Sequence, residues 1–449
     1  MNRYAFRKLF LLFGDVVCYY VALFAALAIR TMEAPSLAVW ADHAAAYSLL
    51  LPLWLIIFYI ADFYHLPFLF QRSAFYSRTL IVMGTMMVLS VVLFYILSLS
   101  ITPKTVLFIH GSVFTLLFLG WRSIAAWKIG AIEKKTAIFI GDQSHFSSLR
   151  ERMRTRSTGE HFFVGYTDAC EQNVSSNDSF LSISDIKEHM SHKRVDTLVV
   201  QDNRLGQALA LFHTFLIQGG TIQTLSAFFE EQFQEVLLGS LDSAGIADSV
   251  DLAGRKIYDR GKRYFDIIAA VILLVVGGSI AIPVLAIVKV FYRAPLLYRQ
   301  ERCTKGGKIF VLYKFRTMVP DAEKNGAVWA EKNDSRITRI GRFLRYTHID
   351  ELPQIWNVLR GDLSFVGPRP ERPDFVQLLD EAIPYYALRH RVMPGISGWA
   401  QINFPYAASV EDARRKLSYD LYYIKHRSLT LDLKIFLKTI AFLMKGEGG

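Results

Sequence analysis

The stretch YFDIIAAVILLVVGGSIAIPVLAIVKVFY, residues 264–292, is apolar enough to enter a membrane and long enough to cross it. A spanning helix needs about 20 apolar residues. Basic residues nevertheless gather at both ends, and a single crossing would put one cluster outside, against the positive-inside tendency. These residues are Arg255, Lys256, Arg260, Lys262 and Arg263 before the stretch, and Lys289, Arg293, Arg299, Arg302 and Lys305 at or beyond its end.

The middle of this stretch carries residues that bend helices. Gly277, Gly278, Ser279 and Pro283 lie within seven positions. Pro283 has no N–H for the carbonyl of Ser279, and the Ser279 hydroxyl can satisfy the strained turn. The sequence therefore predicts a re-entrant helix over 264–292 that enters and leaves the membrane on the cytoplasmic side. A kinked spanning helix is the alternative.

Four more apolar stretches fill the first third of the chain, at residues 9–29, 44–61, 79–101 and 105–127. Each has about the length of a bilayer-spanning helix. Basic residues precede the first stretch and follow the fourth, while only Lys104 marks the loop between the last two. Residues 1–130 are thus predicted to form a four-helix transmembrane bundle with both ends in the cytoplasm.

The amino-acid composition indicates which classes of binding partner the protein can have. Of 449 residues, 52% are hydrophobic, and 51 Lys and Arg against 40 Asp and Glu give a net charge of +11. This charge suits an anionic membrane surface or phosphorylated substrates. No nucleic-acid-binding motif occurs in the sequence, so nucleic acid is not an expected partner. Three widely spaced cysteines indicate neither a disulfide framework nor a zinc site.

Residues 136–250 are predicted to form a Rossmann-like cytoplasmic module. Segments 136–142, 195–200 and 221–228 are typical of strands, with helical segments between them. The glycine-rich dinucleotide motif is absent after Gly141. Both a structural or regulatory role and a ligand-binding role stay open for this module.

The segment HIDELPQIWNVLRG, residues 348–361, is central to the predicted catalytic domain over 255–449. Apolar residues at helical spacing predict one buried helix face, formed by Leu352, Ile355, Trp356 and Leu359. Proline is tolerated in a first turn and glycine suits a helix end. We therefore expect the helix to begin near Asp350 and to end at Gly361.

The carboxylates of Asp350 and Glu351 would lie at the start of this helix, where its dipole favours negative charge. An isolated pair of this kind is commonly just a helix cap. Here basic residues accompany the pair, namely Arg345, Arg369 in GPRP (367–370), Lys308, Lys314 and Arg316. Pro368 and Pro370 restrict Arg369, and such arginines suit phosphate recognition. Adjacent carboxylates beside cations predict phosphate chemistry with Mg²⁺, which carboxylates and substrate phosphates share.

Three further features have two interpretations each. His348 is either a proton carrier or a solvent-facing or hydrogen-bonding side chain, and Asp15 is either functional or a snorkelling or paired side chain. The segment 429–445 is predicted to be an amphipathic helix that packs on the domain or lies on the membrane surface.

Several motifs in a fixed order resemble the polyprenyl-phosphate sugar-1-phosphate transferases, the monotopic phosphoglycosyl transferases, in their long bacterial exopolysaccharide-priming form. The resemblance covers residues 255–445, and the bundle and middle module match the long form. The motifs are KRYFD (262–266), YRQER (298–302), GGKIF (306–310), YKFRTM (313–318), LRYTHIDELPQIWNVLRGDLSFVGPRP (344–370) and PGISGWAQIN (394–403).

The resemblance implies a role for each matching residue. Asp350 would attack the sugar-bearing phosphate of a UDP-sugar, releasing UMP and forming a phosphosugar–aspartate intermediate. Glu351, with Asp350, would hold Mg²⁺, and Arg345 and Arg369 would bind phosphate or nucleotide. The lipid phosphate would then take the sugar phosphate.

The remaining cations are expected around the substrates. Lys262 and Arg263 would attract the polyprenyl phosphate headgroup, or else anchor the protein to anionic lipid. Lys308, Lys314, Arg316 and Pro368 complete the expected substrate-binding set, while Ser279 and Pro283 would form the bend of the membrane hairpin.

The resemblance also implies a setting. The chain would be a multi-pass protein of the bacterial inner membrane, with its catalytic domain on the cytoplasmic face. Its expected partners are inner-membrane lipid, UDP-sugar, undecaprenyl phosphate and a second copy in a homodimer. It would prime exopolysaccharide or capsule glycan assembly. The alternative is an inactive membrane scaffold or sensor in a polysaccharide export complex.

Overall fold

A computed structural model describes residues 3–64, 72–96, 104–129, 135–155, 161–166, 195–206, 215–217, 219–240, 255–291, 296–319, 336–404 and 409–444. The chain divides into two compact units, Met1–Thr197 and Leu198–Gly449. The boundary lies inside the predicted 136–250 module, and the three-domain division stays a prediction.

The first unit opens with four long helices, α1 to α4. They cover Arg3–Thr31, Leu37–Ile60, Arg72–Ile96 and Lys104–Ile129. Within the described residues, four segments are long and apolar enough to cross a membrane: Phe6–Thr31, Leu37–Tyr59, Arg78–Tyr95 and Thr105–Lys128. The four predicted spans are confirmed by length and composition, and the protein is a membrane protein.

Aromatic side chains and one ion pair fill the bundle interior. Trp54, Phe58 and Phe114 are almost fully buried and pack ring against ring. Arg122 donates to Asp15, at 2.6 Å, and both side chains are buried. Of the two interpretations of Asp15, the structure supports the paired one.

After the bundle, the first unit contains two parallel strands and a helix between them. Strand β1 (Lys135–Ile140) pairs with β2 (His161–Tyr166), with Lys135 opposite His161. Helix α5 covers Gln143–Thr155. The first predicted strand is confirmed, whereas β2 was not predicted from the sequence. The Rossmann-like assignment of the whole module stays a prediction.

The second unit begins within strand β3 (Thr197–Val200) and continues to β4 (Thr221–Thr224) and helix α6 (Leu225–Phe233). The prediction of a strand over 221–228 is wrong in its second half, which is helical. The Thr224 side chain accepts a hydrogen bond from the Ala227 N–H and so caps this helix.

The residues that follow α6 belong to the core of the second unit. Val236 is buried in that core, and its N–H donates to the carbonyl of Ser418 at 3.0 Å. The carbonyl of Gln234 accepts from the Trp399 indole N–H at 2.9 Å. The hydrophobic core therefore extends upstream of residue 255.

Helix α7 (Lys256–Phe291) contains the stretch that was predicted to re-enter the membrane. Its N-terminal third is held by Asp266, which accepts from the N–H of Phe365 at 3.2 Å. The structure has helix throughout this range, and the side chains of Ser279 and Pro283 lie outside its described part. The re-entrant bend stays a prediction.

An antiparallel hairpin follows, made of β5 (Leu297–Cys303) and β6 (Ile309–Phe315). The strand expected over IFVLYKF is confirmed. Gly306 and Gly307 form the turn with φ of 74° and 73°, a conformation that glycine adopts without steric cost.

The rest of the unit contains the short parallel strands β7 (Ser364–Val366) and β8 (Gly395–Ser397) and, among the described residues, six helices, five of which add side chains to the core around these strands. Helices α8 to α13 cover Arg339–Tyr346, Gln354–Arg360, Pro373–Ala382, Trp399–Asn403, Val410–His426 and Leu429–Met444. Ile435 of α13 is fully buried in the core, so the predicted terminal helix packs on the domain.

The predicted helix near Asp350 needs two corrections. Asp350 and Glu351 lie in a separate 3₁₀ turn, Ile349–Glu351, and α9 starts only at Gln354, because the backbone hydrogen bonds before it span three residues: the N–H of Leu352 donates to Ile349 and that of Ile355 to Leu352. The predicted apolar face is also wrong at Trp356, which is 58% exposed, whereas Asn357 is buried. The expected end at Gly361 is confirmed, with φ of 91°.

Candidate functional site

Asn357 fixes α9 against strand β6. Its amide oxygen accepts from the N–H of Tyr313 at 3.2 Å, and its amide nitrogen donates to the carbonyl of Val311 at 2.7 Å. A buried polar side chain is stable only when its hydrogen bonds are made inside the protein. The two bonds explain why Asn357 is buried, and they bring the residues before α9 close to the end of β6.

Lys314 and Arg369 converge on Glu351. The Lys314 Nζ lies 2.9 Å from Glu351 Oε1, and an Arg369 guanidinium nitrogen lies 3.5 Å from the same oxygen. Burial alone would raise the pKa of Glu351, but the two cations outweigh it and hold the pKa well below its usual range. Burial lowers the pKa of Lys314. Glu351 is therefore a carboxylate that already has two cationic neighbours.

Asp350 has the opposite environment. Its side chain is buried, and its Oδ1 atom has no hydrogen-bond partner within the described residues. Burial, reinforced by the neighbouring Glu351, raises the pKa of Asp350 to about 6, although Lys314, Arg345 and Arg369 act against the rise. Asp350 is thus a carboxylate that is mostly ionised at neutral pH but weakly solvated, as a nucleophile requires.

Arg345 is held near Asp350 by Thr317. The Arg345 Nε donates to the Thr317 hydroxyl at 2.9 Å. Helix α8, which carries Arg345, approaches the Thr317 backbone so closely at Gly341 that a Cβ atom there would lie 1.9 Å from the Thr317 carbonyl oxygen. Glycine at this position therefore sets the place of the arginine.

Two other arginines hold the loop that carries Arg369. Arg389 donates to the carbonyl of Arg369, and Arg302 donates to the carbonyl of Pro370, each at 2.9 Å. The carbonyl of Pro368 accepts from the N–H of Gly395, also at 2.9 Å. Successive carbonyls of the GPRP segment are thus bonded, which leaves the Arg369 side chain free to reach Glu351.

Arg389 is itself fixed by a carboxylate. Its guanidinium lies 3.0 Å from Asp420 of α12, and both side chains are almost fully buried. Burial raises the pKa of Asp420 to about 6, although Arg389 acts in the other direction. This buried pair supports the loop by holding the carbonyl of Arg369.

Some residues that we predicted to bind substrate are engaged elsewhere in the protein. Lys262 lies 2.8 Å from the buried Asp432. Arg263 donates to the carbonyls of Val358 and Leu359 at the end of α9, a position that favours a cation. Their role at a lipid headgroup stays a prediction.

Two other residues that were predicted to bind substrate, Lys308 and Arg316, make no hydrogen bond to Glu351 within the described residues. Lys308 is exposed at the hairpin turn, six residues along the strand from Lys314, which is about 20 Å. Arg316 has a buried Nε without a hydrogen-bond partner in the part of the chain that is described. Their assignment to substrate binding stays a prediction.

The donors near Asp350 suit a shared Mg²⁺ better than a closed metal cage. Among the described residues, no group of three or more His, Cys, Asp or Glu could hold a metal ion. The unpartnered oxygen of Asp350 beside Glu351 matches the one or two carboxylates with which Mg²⁺ is usually bound next to phosphates. The carboxylate pair therefore fits the ion.

The residues that support this site were not predicted from the sequence. Arg302 lies in the YRQER motif and Thr317 directly follows Arg316 in YKFRTM, so their positions in these motifs could have indicated a role at the site. Arg389 and Asp420 are 31 residues apart and belong to no motif. Their pairing becomes visible only in the folded chain.

Comparisons with known proteins match the part of the chain that forms this site. A family model described as Bacterial sugar transferase matches residues 257–446. The UDP-N-acetylgalactosamine-undecaprenyl-phosphate N-acetylgalactosaminephosphotransferase of Aeromonas hydrophila is 45% identical over 192 residues, which are 43% of this chain and 45% of that protein.

Two further relatives match the same part. An uncharacterized sugar transferase, EpsL, of Bacillus subtilis is 42% identical over 187 residues, which are 42% of this chain and 89% of the relative. The undecaprenyl-phosphate glucose phosphotransferase of Komagataeibacter xylinus is 44% identical over 185 residues, 40% of this chain and 35% of the relative. The chain thus spans less than half of the first and last of these three relatives.

Proposed function

The chain belongs to the bacterial sugar transferase family, and from this membership we propose that it transfers a sugar-1-phosphate from a UDP-sugar to undecaprenyl phosphate. The observation that carries the proposal is the buried Asp350, with an unpartnered oxygen, beside the Lys314–Glu351–Arg369 cluster. One carboxylate is left available for reaction, while cations for phosphate oxygens lie next to it.

The proposed reaction has two displacements at the same phosphorus. The Asp350 carboxylate attacks the sugar-linked phosphorus of the UDP-sugar, the bond between the two phosphates breaks, and UMP leaves. An oxygen of undecaprenyl phosphate then attacks that phosphorus and releases Asp350. The product is a polyprenyl diphosphate-linked sugar, and no further reactant is needed.

Each neighbouring residue has a task in this scheme. Arg369 and Lys314 bind phosphate oxygens, and Arg345 steadies charge next to Asp350. Mg²⁺, held by Glu351 and Asp350, would supply further neutralisation of the diphosphate. The restrained GPRP segment keeps the Arg369 backbone in place, so the loop loses little conformational entropy when the guanidinium binds a phosphate.

We extend the proposal to the cellular setting. The reaction would prime exopolysaccharide or capsule glycan assembly at the inner membrane, with the site on the cytoplasmic face and the protein acting as a homodimer. The net charge of +11 and the four apolar helices support a site at an anionic membrane surface.

The proposal is tested by measuring sugar-1-phosphate transfer by the full chain in lipid nanodiscs. UDP-glucose, UDP-galactose and their N-acetylated forms are supplied with undecaprenyl phosphate and Mg²⁺, and UMP release is measured. Asp350→Asn should reduce release by at least about a thousandfold, as loss of a nucleophile does. Asp362→Asn is the matched control, because the Asp362 carboxylate pairs with Arg360 and, among the described residues, is not one of the groups that act on Asp350 or Glu351. EDTA should stop the reaction.

Two results would contradict the proposal. Without undecaprenyl phosphate, mass spectrometry should find a phosphosugar on the peptide that contains Asp350, and turnover without this adduct would exclude the covalent route. No UMP release with any UDP-sugar would favour an inactive scaffold or sensor.

A further inference from the structure

His348 has an unusual backbone conformation directly before the reactive turn. Its φ is 53° and its ψ is 17°, in the left-handed region that non-glycine residues seldom adopt. Its N–H donates to the carbonyl of Arg345, and its own carbonyl accepts from the N–H of Glu351, at 3.1 and 3.2 Å. This residue thus joins helix α8 to the turn that carries Asp350.

The backbone of this turn does not require an imidazole. Glycine or asparagine adopts the left-handed conformation at least as readily as histidine. A non-glycine residue held there beside a reactive group is therefore a reason to look for a function of its side chain.

The ring of His348 lies beside the catalytic cluster without being used by it. It is half-buried and within electrostatic range of Glu351, Arg369 and Lys314. Lys314 and Arg369 both donate to the Glu351 carboxylate. In the described part of the chain, the His348 ring makes no hydrogen bond to protein, so its nitrogens are available to a ligand.

The hydrogen-bonding chemistry of imidazole indicates which part of the UDP-sugar the His348 ring would contact. Lys314, Arg345 and Arg369 are donors only and suit phosphate oxygens, whereas a neutral imidazole has one donor and one acceptor nitrogen. A sugar hydroxyl also donates and accepts. We propose that His348 hydrogen-bonds the sugar of the donor substrate and thereby helps to select the sugar.

This inference rests on the proposed function and can fail separately from it. The experiment uses the full chain in nanodiscs at pH 8, with the UDP-sugar that the wild type turns over fastest. The KM of this UDP-sugar is compared with the inhibition constant of UDP, which has both phosphates but no sugar. The variants are His348→Gly, His348→Ala and His348→Asn.

We expect Gly and Ala to raise the KM about 3- to 10-fold, which corresponds to one lost hydrogen bond. The UDP inhibition constant should stay within about twofold, and kcat should change little, because the contact is present before and during reaction. Asparagine, which keeps a donor and an acceptor, should restore part of the loss. Tyr385→Gly is the matched control, since Tyr385 is another left-handed residue (φ 65°) and lies outside the site.

Several outcomes would overturn the inference while leaving the proposed function intact. If glycine matches the wild type and only alanine is impaired, His348 serves the backbone alone. An equal rise of the UDP inhibition constant would mean that the ring contacts phosphate, and an unchanged KM in all variants would exclude any contact. Wild-type protein that releases no UMP would instead overturn the proposed function and this inference with it.

Discussion

Arg389 and Arg369 are both arginines of the second unit that face a carboxylate, but their surroundings differ. The Arg389 and Asp420 side chains are 5% and 2% exposed, and Arg389 also bonds a backbone carbonyl. Arg369 and Glu351 are 39% and 20% exposed, and their separation of 3.5 Å is longer. The buried pair shapes a loop, whereas the open pair keeps donors available to a ligand.

The difference shows how one residue type has two tasks. Charges removed from water are strongly dependent on their partners, while half-exposed charges are partly solvated by water. Substitutions in the buried pair should therefore act on stability, and those in the open site should act on chemistry.

Breaking the buried pair should give the largest effect. Asp420→Asn leaves the buried Arg389 guanidinium with only the more distant carboxylate of Glu371, so we expect the free energy of unfolding to fall by about 3 to 5 kcal/mol. Chemical denaturation of the second unit measures this. Glu371→Gln is the control, because Glu371 is 4.0 Å from Arg389 and partly exposed. A loss below about 1 kcal/mol would erase the contrast between the two pairs.

Asp350→Asn should have the opposite effect to Asp420→Asn, because it should stabilise the protein while abolishing turnover. The pKa of Asp350 is about 6 in the folded chain and about 3.9 when unfolded. At pH 7.5 its ionised form therefore costs up to about 3 kcal/mol, which asparagine avoids. Thermal unfolding in EDTA measures the gain against Asp362→Asn. A lower melting temperature would mean that the carboxylate stabilises the fold.

The pH dependence should follow the same carboxylate. Because the folded chain binds this proton more tightly, the contribution of Asp350 to stability is present below about pH 4 and lost as the pH rises through 6. Activity changes in the opposite direction, since only the ionised form attacks. We expect kcat/KM to rise about tenfold between pH 5 and pH 7. A flat profile would exclude Asp350 as the group that titrates.

The smallest effect on stability is expected where the contacts look most numerous. Glu351→Gln removes two ion pairs, and the lowered pKa of Glu351 means that its ionised form stabilises the fold, yet we expect a loss of only about 1 to 2 kcal/mol, because Arg369 is partly solvated. Chemical denaturation beside Asp420→Asn tests this directly. A loss as large as that of Asp420→Asn would mean that both pairs are structural.

The parts of the molecule that the sequence predicted are those encoded by neighbouring residues. Apolar runs predicted the four long helices, and the motif around Asp350 predicted a cluster that includes Glu351, Arg369 and Lys314. Helical periodicity failed at Trp356 and Asn357, because the hydrogen bonds of Asn357 to strand β6 decide which residue is buried. Periodicity counts apolar side chains and does not register such bonds.

What the sequence could not predict depends on contacts between distant segments. Arg389 and Asp420 meet because α12 packs behind the GPRP segment. The left-handed conformation at His348 could not be predicted, because the residue there is not a glycine. The strand expected over 221–228 ends at Thr224, whose hydroxyl caps a helix instead.

The hydrogen bond between Trp399 and Gln234 has a practical consequence for anyone preparing a shorter fragment of the chain. Family similarity starts at residue 257, but Val236 and Gln234 already contribute to the interior behind Trp399. A truncation at residue 255 would remove the hydrogen-bond acceptor of the Trp399 indole and expose part of the hydrophobic core to solvent. Fragments intended for crystallisation or screening should therefore start ahead of Thr221.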